Sequence, residues 1–183
     1  MAFIGLAVPH ETSRLFSDVE VPGKKTEMGT YHITLLYLGK EVPIESLAEA
    51  LKATYAVTSR TKPFTVRTSR VVSFPPGDDG HPVIAMVESD ALHDLRGTLE
   101  ASFEALGVEF DRKYPDYRPH VTLAYGDEAV EEFRIPTVEW GAHELVLWGG
   151  DDGDKKVVIK FPFVLEPLDK TAARVADRFL ASA

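Results

Sequence analysis

Apolar and polar residues along this chain switch between a period of two and a period near 3.6. The switches mark out short strands and longer helices. Phe3 to Val8 is a compact apolar run stopped by Pro9, which predicts a buried strand. His10 to Gly29 is polar and reads as a loop that carries Gly23-Lys24-Lys25. A strand follows over about Thr30 to Leu38, closed by Gly39. From Pro43 to Ser59 the residues Ile44, Leu47, Ala48, Leu51 and Tyr55 recur at helical spacing, with Pro43 suited to a first turn. Phe64 to Thr68 and Val71 to Phe74, a Pro-Pro-Gly-Asp-Asp-Gly turn and Pro82 to Glu88 predict a hairpin. Leu92, Leu95, Leu99, Phe103 and Leu106 form the stripe of a helix over about Asp90 to Leu106, with Ser89 or Asp90 capping it and Gly107 after it. A strand over His120 to Tyr125 precedes an acidic stretch of Asp127, Glu128, Glu131 and Glu132. Two more strands, His143 to Trp148 and Lys156 to Leu165, flank a Gly/Asp turn, and an amphipathic helix fits about Asp169 to Leu180.

No Pro/Gly/Ser-rich linker or low-complexity segment divides the chain. Strands, a strand of one particular motif and a helix recur in each half, which predicts one α+β domain of two related lobes over residues 1–165. The helix within 166–183 lies outside the repeat and reads as an extension packed on or projecting from that domain. The formal charge of −9 argues against duplex nucleic acid, which demands a basic footprint, but leaves room for a small nucleotide or short strand in a locally basic pocket. With no cysteine there is no thiolate nucleophile, disulfide framework or Cys-type zinc site. The apolar start is too short for a signal or membrane segment, so the expectation is a cytoplasmic protein.

Two distant segments nearly repeat each other: His32-Ile33-Thr34-Leu35-Leu36-Tyr37 and His120-Val121-Thr122-Leu123-Ala124-Tyr125. On a regular strand His and Thr share one face, and the β-branched residue, Leu35 or Leu123, and the Tyr share the other. Two such strands present two imidazoles and two hydroxyls to one groove. That set suits metal-free cleavage of a phosphodiester, with one histidine as acid, the other as base, and hydroxyls for the phosphate oxygens.

This pair of His-x-Thr strands resembles the 2H phosphoesterase superfamily, and within it the 2′-5′ RNA ligase or 2′,3′-cyclic phosphodiesterase branch. Arg118-Pro119-His120-Val121-Thr122-Leu123 carries the resemblance most fully, supported by Ser73-Phe74-Pro75, and it covers roughly Phe3 to Leu165. The resemblance implies two pseudo-symmetric lobes of antiparallel sheet, flanked by helices around a central groove. It implies His32 and His120 as the acid/base pair, Thr34 and Thr122 as phosphate ligands, and neither metal nor other cofactor. The activity expected is hydrolysis of 2′,3′-cyclic or 2′-5′-linked nucleotides, cyclic oligonucleotides included. RNA end-processing or 2′-5′ ligation on longer RNA, and a noncatalytic nucleotide-binding module, are the alternatives. The acidic stretch after Tyr125 favours the small substrate.

Other candidates carry simpler readings beside functional ones. Arg118 offers a guanidinium fork for a phosphate, or a surface ion pair. Phe74 stacks on a base, or packs at a strand end. Tyr37 and Tyr125 oppose the His/Thr parity and are assigned to the core. Lys24 and Lys25 lack the glycines of a P-loop and read as a solvated turn. His10-Glu11-Thr12 reads as loop or cap chemistry. Asp151, Asp152 and Asp154 read as a hairpin turn, since no distal Glu completes a calcium loop. His81, His93 and His143 receive no role.

Overall fold

The computed structural model describes residues 1–113, 116–150 and 156–164. The elements in order are β1 (Ala2–Ala7), α1 (His10–Asp18), β2 (Lys24–Lys25), β3 (His32–Gly39), α2 (Ile44–Thr58), β4 (Phe64–Ser73) and β5 (His81–Glu88). They continue with α3 (Asp90–Ala105), β6 (His120–Gly126), β7 (Phe133–Ala142), β8 (Glu144–Gly149) and β9 (Lys156–Pro162). One sheet has the order β3-β1-β8-β9 and the other β2-β6-β5-β4-β7. Every pairing is antiparallel. The two motif strands thus fall in different sheets, as the two-lobed α+β expectation requires. The expected turn at 151–155 and the helix over 169–180 lie outside the described residues.

Apolar burial explains why these elements form. In α3, Leu92, Leu95, Leu99 and Phe103 are buried, the stripe expected from their spacing. In α2 the buried face is rotated from the expected one. Ala50, Ala53, Thr54 and Val57 are buried, whereas Ile44 and Tyr55 are exposed. Small side chains on that face let α2 lie against α3, and the Thr54 hydroxyl is satisfied by the Ala50 carbonyl at 2.7 Å.

Three elements were not expected: α1, the two-residue β2 and β7. The segment expected as a loop over 10–29 begins with a helix, α1, entered through Pro9, with Thr12, Ser13 and Phe16 buried. Its buried face holds one large apolar side chain, too little for a hydrophobic period, but Phe16 meets both Tyr31 and Trp140 edge-on at 5.8 and 5.7 Å. Strand β7 alternates cleanly at Val138, Trp140 and Ala142, all buried. Pro136 obscures it in the sequence and is accommodated because β7 is an edge strand whose pairing with β4 shifts register there. Among the described residues no helix is long and apolar enough to cross a membrane.

Candidate active site

Both motif strands share a departure from regular pairing. Between β1 and β3 the partners step from Gly5↔Thr34 to Ile4↔Leu36, so β3 holds one extra residue, Leu35. Between β5 and β6 they step from Ile84↔Thr122 to Val83↔Ala124, so β6 holds Leu123 extra. A bulge of one residue reverses the facing of everything beyond it. Leu35 and Leu36 are both buried, as are Leu123 and Ala124, and Tyr37 and Tyr125 return to the face of the preceding His and Thr. The expected core assignment of the two tyrosines is therefore corrected: Tyr37 is half-buried and Tyr125 is exposed. Gly5 makes room for the first bulge, since a Cβ there would sit 2.2 Å from the Ile33 carbonyl oxygen.

The histidines are held alike. His32 Nδ1 lies 2.7 Å from the Thr30 carbonyl oxygen, and His120 Nδ1 lies 2.6 Å from that of Arg118. A carbonyl only accepts, so Nδ1 carries the hydrogen in each ring and Nε2 holds the lone pair when the imidazole is neutral. Each ring also packs on aromatics. Phe3 and Trp148 stand 4.8 and 5.4 Å from His32, and Phe74 meets His120 edge-on at 4.9 Å. Burial lowers the pKa of His120 below its ordinary 6.5, and the bond to the Arg118 carbonyl opposes this only in part.

Thr34, Tyr37, Phe74, Arg118 and His120 line one cavity of about 610 Å³, with Arg96 and Tyr117. His32 and Thr122 stand two residues from Thr34 and His120 on their strands, half-buried like their partners. The structure so gathers Thr34, Phe74, Arg118 and His120 from both lobes at the cavity, while His32 and Thr122 are not among the residues of its wall. His10 and His143 do not join the cavity wall, nor do Lys24 and Lys25, which form the short strand β2 rather than a turn.

Two further residues were missed. Tyr117 donates its hydroxyl hydrogen to the Thr34 carbonyl oxygen at 3.1 Å, tying the approach to β6 onto β3. The guanidinium of Arg96 lies 4.4 Å above the Tyr117 ring and pairs with Glu100 at 2.7 Å. Desolvation drives the Tyr117 phenol well above its ordinary pKa, so it remains a neutral donor. Tyr117 adjoins the Arg-Pro-His motif, but nothing in its spacing signals a bond to a residue 83 positions earlier. Tyr125 has its phenol raised chiefly by desolvation and also by Asp79, and it hydrogen-bonds the Thr122 side chain.

A family model described as the 2′-5′ RNA ligase superfamily matches residues 27–154, which hold both motif strands and the cavity wall. Among solved structures, TT0787 of Thermus thermophilus superposes with a TM-score of 0.75 at 23% identity, covering 88% of this chain and 97% of that one. A protein described as a phosphoesterase gives 0.67 at 18%, covering 89% and 98%. E. coli LigT, in complex with 3′-AMP, gives 0.64 at 17%, covering 89% and 97%. These likenesses show the same fold over nearly the full length of each relative. The search of curated proteins returned no match. With its two sheets, its paired motif strands and a family match across most of its length, the chain belongs to the 2′-5′ RNA ligase superfamily, the 2H phosphoesterases.

Proposed function

We propose that the protein is a metal-independent phosphodiesterase that opens nucleoside 2′,3′-cyclic phosphates or cuts 2′-5′-linked nucleotides by paired-histidine catalysis. The observation that carries this reading is the matched setting of the two imidazoles. Each is fixed through Nδ1 to a carbonyl two residues earlier, and each lies two residues before a half-buried threonine on its strand.

In hydrolysis of a cyclic phosphate, water attacks phosphorus while the bond to one ribose oxygen breaks. His120, kept neutral near pH 7 by its burial, takes the water proton on Nε2. His32, protonated, gives the Nε2 proton to the departing ribose oxygen, and the product is a nucleoside monophosphate. The hydroxyls of Thr34 and Thr122 donate to the non-bridging oxygens as charge builds on them. Arg118 at the cavity wall adds a permanent positive charge, and Phe74 offers an aromatic face to a base. The substrate is thus a small nucleotide or short oligonucleotide, in keeping with a chain of net charge −9.

The test is chromatography of products from a pool of nucleoside 2′,3′-cyclic phosphates, 2′-5′ and 3′-5′ dinucleotides and cyclic di- and trinucleotides, with and without EDTA. Monophosphate products that persist in EDTA are expected from the cyclic phosphates or the 2′-5′ dinucleotides. Cleavage of the 3′-5′ dinucleotides alone, activity abolished by EDTA, or an untouched pool would overturn the proposal.

A further inference from the structure

Strand β2 is only two residues long, yet its pairing gives Lys24 and Lys25 different surroundings. Lys24 pairs with Tyr125 and Lys25 with Ala124. Paired residues of antiparallel strands share a face. Ala124 faces the core, and Lys25 donates from Nζ to the Ser17 carbonyl oxygen at 2.8 Å, on the side of α1. Tyr125 was returned to the face of Thr122 by the bulge at Leu123, and Lys24 stands beside it on that face. On the other flank Tyr125 pairs with Pro82, itself part of the cavity wall. Gly23 permits the close approach, because a Cβ there would lie 2.2 Å from the Tyr125 carbonyl oxygen and φ is +91°.

We infer that Lys24 is a second anion-binding residue of the groove, and that the preferred ligand carries a second phosphate beyond the one held at the His/Thr pair. Once the bulged Leu123 is discounted, Lys24 stands two pairing levels from Thr122, or about 7 Å along the strand. The 5′ and 3′ phosphates of one nucleotide are separated by a comparable distance. Lys24 is exposed and joins no ion pair among the described residues. Asp79, the acidic group that acts on the Tyr125 phenol, also stands at this end of the groove, so the site accepts an anion only where the lysine outweighs it. Arg118 marks the opposite end of β6, so the two cations bracket His120 and Thr122 along that strand. The inference rests on the proposed phosphodiesterase reading and narrows its substrate to a nucleotide whose scissile 2′,3′-cyclic phosphate is accompanied by a 5′ phosphate, a 3′,5′-bisphosphate being a ring-opened mimic of it.

The test is equilibrium binding, so it is read independently of turnover. The probes are a nucleoside 3′-monophosphate and the matching 3′,5′-bisphosphate, against the intact protein, Lys24→Gln, Lys24→Arg and Lys25→Gln. The intact protein should bind the bisphosphate roughly tenfold more tightly, the scale of one charge-assisted contact. Lys24→Gln should erase that preference and leave monophosphate affinity unchanged, while Lys24→Arg and Lys25→Gln should keep it. Equal affinity of the intact protein for both probes, failure to bind either, or a preference lost equally in Lys25→Gln would overturn the inference. Failure of the phosphodiesterase reading shows separately, as an untouched pool in the chromatographic test.

Discussion

A histidine is useful at neutral pH because small changes of surroundings move it between acid and base. His120 sits under Phe74 with its Nδ1 tied to a backbone carbonyl, and burial lowers its pKa. Its neutral form is the base, so activity persists as pH falls and is lost only on passing below the depressed value. The acid limb of the kcat/KM profile should therefore lie below the ordinary 6.5. Replacing Phe74 by Ala admits water to the ring and should move that limb up toward 6.5. An unmoved limb would show that desolvation is not its cause. At this scale the sequence singled out His32, Thr34, His120 and Thr122 because two distant stretches repeat the same residues in the same order. It was misleading about Tyr37 and Tyr125. Parity counting assumes a regular strand, and one extra residue in each strand inverts the answer.

Elements hold these residues in place across the two lobes. Tyr117 donates to Thr34 from the segment leading into β6, and Arg96 of α3 braces its ring. The phenol is raised above its unfolded value of 10.0 by burial, so it stays protonated in the fold while the unfolded chain ionises. Its contribution to stability is complete below about pH 10 and drains away as pH climbs through the folded value. Tyr117→Phe keeps the ring and loses the hydroxyl. In denaturant titrations between about pH 9 and about pH 11, the intact protein should lose stability more steeply than this variant. Parallel losses in the two proteins would contradict the assignment of that slope to Tyr117. Strands with strong alternation and α3 with its leucine stripe were legible from sequence. Helix α1 was not, because it buries Thr12 and Ser13 with a single large apolar side chain, and β7 was not, because Pro136 interrupts it.

Across the whole molecule, two antiparallel sheets bring residues from distant parts of the chain to one cavity. The repeat of motif strands made the two-lobed plan legible, but the loop-like segment before β3 hid how it joins the second sheet through Lys24 and Lys25. The central claim is that one imidazole from each lobe serves a single reaction. The most direct measurement is the single-turnover rate on a nucleoside 2′,3′-cyclic phosphate for the intact protein, His32→Ala and His120→Ala, with thermal unfolding of each recorded alongside. Each substitution should lower the rate by ~10²-fold or more while the unfolding midpoint changes little. A folded variant of either kind that keeps the intact protein's rate would contradict the account.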